Sequence, residues 1–140
     1  MSRSDPSAAP PVPQVALVAE AARKSRVCWL SWRHPGGVVR DRLVWHLWHD
    51  DALVVVDGDD QQVLPGLADA TEVEVTLRSK EARTALVAVP TRPEVVAPGT
   101  PAWDEHAAAL LAVRLNLRDP AATRAAWAET ARLVRLTPAP

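Results

Sequence analysis

Apolar and polar residues alternate regularly over Glu72–Arg78, where Val73, Val75 and Leu77 are separated by charged or hydroxyl-bearing side chains. A period of two predicts a strand with one face in the core and the other in water. Strands with one wet face are typical of antiparallel sheets. The segment therefore predicts that this chain contains an antiparallel sheet.

Further strands are predicted from apolar runs, rich in valine, leucine and tryptophan, that are bounded by turn residues. Polar turns at Asp50-Asp51 and Asp57–Asp60 separate neighbouring runs. Pro90 predicts a bend or a sheet edge, because proline cannot donate to a central ladder. The other predicted strands are Val27–Arg33, Leu43–His49, Ala52–Val56, Thr84–Val89, Arg92–Ala97 and Arg132–Leu136.

Three segments predict helices. Gln14–Lys24 has apolar residues near helical spacing and ends in two cations, which suit a helix C-terminus. The segments Thr100–Leu117 and Asp119–Thr130 each begin with an N-cap residue followed by proline at the first helical position. The order is therefore one helix, six strands, two helices and one strand.

This order predicts a mainly β fold. Six or seven short antiparallel strands that close on themselves, with helices over the ends, make a small barrel. Residues 1–13 are rich in Ser, Ala and Pro and predict a disordered tail. Residues 14–138 predict a single domain, large enough to bury a core without disulfides.

Charge and composition exclude several classes of partner. A formal net charge of −1 gives no electrostatic reason to expect nucleic acid or an anionic membrane. No apolar run approaches the ~20 residues that a membrane helix needs. The single cysteine, Cys28, lies in an apolar strand and is expected to be a buried hydrophobe rather than a reactive thiol. We expect a cytoplasmic protein.

Two neighbouring predicted strands hold four of the six tryptophans, in a chain without Phe or Tyr. Trp29 and Trp45 are expected on one face of their strands, and Trp32 and Trp48 on the other. One pair should fill the barrel while the other lies under a helix or at a subunit contact. The alternative interpretation is an aromatic wall of a ligand site.

Three histidines, His34, His46 and His49, lie near Asp50 and Asp51. His46 and His49 are three apart on a predicted strand and should point to opposite faces, where they cannot share an ion. We interpret the histidines as surface or capping residues and the aspartates as turn residues, with catalytic carboxylates at Asp50-Asp51 and Asp57–Asp60 as the alternative. No metal site is predicted.

The basic run Arg78–Arg83 lies between two predicted strands, where a solvated turn is the ordinary interpretation and an anion site the alternative. The sequence contains no glycine-rich phosphate loop, nucleophile elbow or metal-spaced cysteine pair. No catalytic residue is identified, and a cofactor would have to supply any redox chemistry.

The layout resembles the FMN-binding split-barrel family, which includes the pyridoxamine 5′-phosphate oxidase-like proteins, over Val15 to Pro138. The resemblance implies a split barrel, a homodimer and a flavin- or deazaflavin-dependent oxidoreductase acting on an unknown small molecule. The segments that carry it are Ala22–Ser25, Cys28–Ser31, Arg42–Leu47, Ala52–Val56 and Leu64–Leu67.

The same resemblance implies an FMN site at matching positions of this sequence. Arg42 matches a basic phosphate-binding position on the second strand, and the three residues after it would line the isoalloxazine ring. The end of the third strand and the glutamines beyond it match the other phosphate-binding positions. The implied cofactor-binding residues are Arg42, Leu43, Val44, Trp45, Val56, Asp57, Gln61 and Gln62.

The sequence departs from this pattern where the phosphate should bind. Asp57, Asp59 and Asp60 would repel a phosphate, and glutamines stand where a cation is expected. Backbone N–H groups at Gly58 are the alternative donors at this turn. Convergence of Arg42 with Arg78, Lys80 and Arg83 would restore the missing positive charge. The alternative function is therefore a non-catalytic split-barrel dimer that has lost high-affinity flavin binding, with no cofactor.

Overall fold

The computed structural model of the protein describes residues 14–58, 62–79, 85–113 and 119–138. The predicted disordered tail, residues 1–13, lies outside this part of the chain. Several residues of the predicted site and basic run also lie outside it, namely Asp59, Asp60, Gln61, Lys80 and Arg83.

Among the described residues, one α-helix precedes the strands and two more follow the sixth strand. Strands outnumber helices, so the predicted mainly β class is confirmed. Within the described residues, seven strands form one antiparallel sheet, curled as a barrel, in the order β2-β1-β5-β6-β7-β4-β3. A short 3-10 helix, Leu67–Asp69, precedes β5. The elements are α1 (Gln14–Lys24), β1 (Val27–His34), β2 (Gly37–Trp45), β3 (Leu47–His49), β4 (Ala52–Asp57), β5 (Val73–Ser79), β6 (Ala85–Val96), α2 (Pro101–Val113), α3 (Pro120–Thr130) and β7 (Arg132–Pro138).

Two strand predictions had the wrong bounds. The predicted strand Leu43–His49 is interrupted at His46, which separates β2 from β3. The two strands predicted on either side of Pro90 form one strand, β6. The first part of β6 pairs with β5 and the second part with β7, and Thr91 is the residue that pairs with both. Because each part pairs mainly on one side, β6 tolerates proline without losing a central ladder bond.

The two edges of the sheet are joined by a single residue. Strands β2 and β3 lie at opposite edges of the sheet order, yet only His46 separates them in the chain. The chain therefore leaves one edge, where β2 pairs with β1, and arrives at the other, where β3 pairs with β4. This connection curls the sheet into the predicted barrel.

The apolar side chains form two cores on either side of the sheet. The inner core fills the barrel with Cys28, Leu30, Val55, Val75 and neighbouring residues, and α1 contributes to it. The outer core lies between α2, α3 and the outer face of β4, β7 and the end of β6. Strand β4 contributes to both cores, which explains why it is an unbroken apolar run rather than an alternating one.

The tryptophans divide between these cores much as their alternation predicts. Trp32 is buried in the inner core, and Trp48 packs against it. Trp45 packs against the outer core, with its ring centroid 6.3 Å from that of Trp127 in α3. Trp29 is half-buried on the outer face of β1. These positions account for three of the four as packing residues.

The helix starts follow the predicted caps. The Thr100 hydroxyl accepts a hydrogen bond from the Trp103 amide at 3.2 Å, and the Asp119 carboxylate accepts one from the Ala122 amide at 3.0 Å. Each cap satisfies an amide that the first turn of a helix leaves without an internal partner. These caps fix where α2 and α3 begin over the outer core.

His46 is buried at the corner between β2 and β3, with 1% of its surface exposed. Its backbone amide donates to the Arg26 carbonyl at 2.8 Å, and its ring Nε2 lies 3.2 Å from the Ala22 carbonyl, which can only accept. Burial is the main cause that lowers the pKa of His46 from 6.5 to about 4. The imidazole is therefore neutral at pH 7, with its proton on Nε2.

We expect the stability of the fold to fall as the pH falls from 6.5 towards 4 because of His46. In that window the unfolded chain binds a proton that the folded chain excludes, so the unfolding free energy decreases by up to about 3 kcal/mol. Above pH 6.5 this contribution is constant. Urea unfolding of the wild type and of His46→Gln, which keeps an N–H donor but cannot titrate, measures it. Equal slopes of stability against pH in the two proteins would contradict the assignment.

Candidate functional site

Most of the described residues implied for the flavin site converge on one segment, Gln62–Leu64. This segment lies beside the end of β2, which carries Arg42 and Trp45, and beside the end of β4, which carries Asp57. Each of these residues makes a hydrogen bond to it. The sequence resemblance therefore located a real meeting point of two strands and a loop.

Gln62 occupies the centre of this meeting point. Its Oε1 accepts from the Trp45 amide at 2.8 Å, and its Nε2 donates to the Trp45 carbonyl at 3.3 Å and to the Val56 carbonyl at 3.0 Å. The side chain is buried, with 6% of its residue surface exposed. A primary amide has two N–H groups, and both are used inside the protein. Gln62 thus connects the backbones of β2 and β4 as a strand would.

Asp57 holds the same loop from the end of β4. Its Oδ1 accepts from the Leu64 amide at 2.8 Å, while the Gly58 amide donates to the Gln62 carbonyl at 2.9 Å. Burial raises the pKa of Asp57 above its usual value, and the Leu64 amide and the charge of Arg132 oppose that rise. The Asp57 carboxylate is therefore a structural acceptor here.

Arg42 is exposed at the edge of the sheet, and its Nη2 donates to the Val63 carbonyl at 2.8 Å. On β2, Arg42 pairs with Leu30, whose side chain lies inside the barrel. On β5, Arg78 pairs with Leu86, which lies on the opposite, outer face of the sheet. The two arginines therefore start from different faces of the sheet. The rest of the predicted basic group lies outside the described residues.

The three residues expected to line a flavin ring point to three different environments. Val44 is buried in the inner core, and Trp45 packs against the outer core. Leu43 is 56% exposed on the outer face of the sheet. They do not form a common wall in this chain, and Val56 is also buried in the outer core.

The residues at the implied phosphate position do not fit an FMN phosphate. A phosphate dianion needs cationic or N–H donors, since charge-assisted hydrogen bonds are the strong ones. Among the described residues at this position, Gln62 has both N–H groups bound to backbone carbonyls and Asp57 offers a carboxylate. Arg42 remains as the cation at the rim of this position.

A second cluster of polar side chains lies away from this position. His49 in β3 and Glu105 and His106 in α2 place their ligand-type atoms within 4.8 Å of one another. Sequence reasoning grouped His49 with its neighbours in the chain and missed both α2 residues. No local spacing indicates this cluster, because the two parts are more than fifty residues apart and meet only through the fold.

Cys28 is buried in the inner core, as its apolar surroundings in the sequence predict. Burial raises the pKa of its thiol to about 12. The thiolate needed for nucleophilic or redox chemistry is therefore suppressed at neutral pH. Within the described ranges, no helix is both long and apolar enough to cross a bilayer.

Replacing Gln62 tests its structural role. Gln62→Ala leaves the Trp45 amide and the two carbonyls without their partner, and we expect the unfolding free energy to fall by about 1–3 kcal/mol. Val63→Ala, at a neighbouring residue that is 59% exposed, is the matched control and should change stability by less than about 0.5 kcal/mol. Urea unfolding measures both variants. A Gln62→Ala protein as stable as its control would refute the assigned hydrogen bonds.

Comparison with known proteins identifies the fold. No protein-family model and no curated protein sequence matches the chain. The crystal structure of HutZ, a heme storage protein from Vibrio cholerae, aligns with a TM-score of 0.61 and 12% identity over 84% of this chain and 85% of that one. A candidate pyridoxamine 5′-phosphate oxidase from Listeria innocua aligns at 0.59 and 11% over 91% and 95%.

A third solved structure, the conserved hypothetical protein Rv2991 from Mycobacterium tuberculosis, aligns with a TM-score of 0.60 and 16% identity over 89% of this chain and 80% of that one. At these identities the comparisons establish the fold, and the architecture suggested by the sequence resemblance is confirmed. The chain therefore has the split-barrel fold that these solved structures share.

Proposed function

We propose that this protein is a non-catalytic split-barrel homodimer that does not bind FMN with high affinity. The observation that carries the proposal is the hydrogen bonding of Gln62. Its amide occupies the implied phosphate position and uses both N–H groups to join β2 to β4. A phosphate at that position would have to displace these bonds and approach the Asp57 carboxylate. Both changes cost free energy.

The outer face of the sheet supports the dimer. Helices α2 and α3 cover the half formed by β4, β7 and the end of β6. On the other half, formed by β2, β1, β5 and the start of β6, no described helix packs over the exposed apolar residues Val27, Leu43 and Leu86. These residues are 42%, 56% and 62% exposed.

The register places these side chains in adjacent rows across the four strands. One row contains Leu43, Trp29 and Thr76, and two residues further along β5 Arg78 pairs with Leu86. Exposed apolar patches of this kind mark association surfaces in soluble proteins. A half-buried tryptophan at the centre of the patch is typical of an interface anchor.

Charges on β5 make this outer face complementary to itself. Glu74 and Arg78 lie two residues on either side of Thr76, on the same face of the strand. A two-fold axis that passes above Thr76, parallel to the sheet and perpendicular to β5, would bring Glu74 of one protomer to the partner's Arg78. Closed two-fold dimers require a self-complementary surface of this kind. We therefore assign a second copy of this chain as the occupant of the face.

The dimer is tested by placing a charge in the apolar rows. Leu43→Glu and Leu86→Glu should each convert a dimeric wild type into monomers at micromolar concentration, because a carboxylate would be desolvated against the partner's apolar face. Val63→Glu, at a 59% exposed residue outside the strands of this face, is the control and should remain dimeric. Sedimentation velocity measures the masses, and circular dichroism checks the fold. A monomeric wild type would refute the proposal.

The second candidate function is a flavin- or deazaflavin-dependent oxidoreductase. The observation that favours it is the exposed Arg42 guanidinium at the edge of β2. One of its five N–H groups is bound to Val63, which leaves others able to reach an anion. If a flavin binds, Arg42 would hold its phosphate, and the flavin would supply the redox chemistry.

Comparing FMN with riboflavin decides between the two candidates, because the two ligands differ only in the phosphate. Both ligands absorb light and lower the measured tryptophan fluorescence of the full chain without binding. We expect micromolar FMN to lower it no more than riboflavin does. Saturable quenching by FMN but not by riboflavin would establish a phosphate site and overturn the proposal. Loss of that quenching in Arg42→Ala, but not in the neighbouring Arg40→Ala, would then locate the site.

A further inference from the structure

The second polar cluster, formed by His49, Glu105 and His106, is independent of the implied flavin site. His49 lies at the end of β3, and the other two are adjacent residues in the second turn of α2. We propose that these three side chains form a binding site for a divalent transition-metal ion of the zinc class. The proposal does not depend on whether the protein binds a flavin.

The distances are close to those of a metal-bound set. The Nε2 of His49 lies 2.9 Å from Oε2 of Glu105, and one ligand atom from each of the three residues lies within 4.8 Å of the others. Ligand atoms around a tetrahedral zinc ion are roughly 3.4 Å apart. Glu105 is exposed and can rotate, so small side-chain movements bring the three atoms to that spacing.

His106 is oriented for ligation by its own helix. The residue is 4% exposed, and its Nδ1 lies 2.6 Å from the carbonyl of Ala102, one turn earlier. Because a carbonyl can only accept, Nδ1 carries the proton and Nε2 has the lone pair. A second hydrogen bond of this type fixes the tautomer and orientation of most metal-binding histidines. The ring edge of one histidine also faces the other, with centroids 5.1 Å apart.

The surrounding charges favour a cation. A cleft of about 580 Å³ beside the cluster is lined by Asp50, Glu94, Glu105, His106 and Arg135. Three carboxylates thus face one guanidinium. Arg135 is itself held by Asp50, through the backbone carbonyl at 2.6 Å and the carboxylate at 3.5 Å. Its Nη1 lies 3.4 Å from Nε2 of His106 and would have to move aside when an ion binds.

The chemistry of the donor set points to zinc-class metals rather than calcium or magnesium. Two imidazoles and one carboxylate are typical ligands for Zn²⁺ and related ions, whereas hard cations prefer oxygen ligands. An ordinary ion pair between His49 and Glu105 would account for the 2.9 Å contact. It would not account for the nearness of the second imidazole, since one ligand-type atom of His106 also lies within 4.8 Å of those of His49 and Glu105. The open side of the site is the cleft, which can hold water or a small ligand.

Metal binding can be measured directly on the full-length protein without an affinity tag. Zn²⁺ is titrated in competition with a chromogenic chelator, and Co²⁺ is added separately to record its visible absorption. We expect one equivalent of Zn²⁺ to bind with a micromolar or tighter dissociation constant. Bound Co²⁺ should give the visible absorption bands of a cobalt ion with low coordination number. The absence of stoichiometric Zn²⁺ binding would overturn the proposal.

Variants locate the ion. His49→Ala and Glu105→Gln should each weaken Zn²⁺ binding by at least about tenfold. Glu94 lines the same cleft without belonging to the cluster, so Glu94→Gln should weaken Zn²⁺ binding much less. Thermal melts without metal show that the variants are folded, and Glu105→Gln keeps the shape of the side chain. Equal Zn²⁺ affinity in the wild type and in both ligand variants would place the ion elsewhere and refute this site.

Discussion

A single residue joins the two edges of the sheet, and most of the molecule depends on this connection. His46 ends β2 at one edge and precedes β3 at the other, so the seven strands must curl into a barrel. The backbone groups at this corner cannot pair as they would in a regular ladder. The Arg26 carbonyl accepts from the His46 amide and the Gln62 side chain binds the Trp45 amide, while the Ala22 carbonyl accepts from the His46 ring. Each buried polar group at the corner that gains a partner avoids a cost of about 1–3 kcal/mol.

The same corner explains why the implied phosphate position is filled. In this chain the gap between the ends of β2 and β4 is bridged by an amide side chain, because none of the described strands pairs there. A residue that must satisfy backbone groups on both strands cannot also give its N–H groups to a ligand. The requirements of barrel closure and of phosphate binding therefore compete for one side chain, Gln62.

Much of the fold followed from local patterns in the sequence. Alternation over Glu72–Arg78 and the caps at Thr100 and Asp119 predicted the elements that the structure contains. The break at His46 was not predictable, since the run Leu43–His49 contains no glycine, proline or other turn residue and the break arises from long-range pairing. Proline suggested an end at Pro90, but β6 continues because it changes its pairing partner there.

The two candidate sites also differ in how far the sequence could predict them. The resemblance placed Arg42, Trp45 and Asp57 near one another because it carried strand order as well as residue type. It could not show that Gln62 would be bound to two backbones. The cluster of His49 with the two α2 residues exists only once α2 packs over β3, so no spacing in the chain indicates it. Contacts across the outer core supply that information.

Hydrogen exchange at the Trp45 amide tests the central claim most directly, because this N–H donates to Gln62 at the corner. If Gln62 fills the gap permanently, the Trp45 amide should exchange as slowly as amides of β4 in the barrel core, and excess FMN should not change its rate. Rapid exchange in the free protein that becomes slow when FMN is added would contradict the account. It would show that the gap between β2 and β4 is open and that FMN closes it.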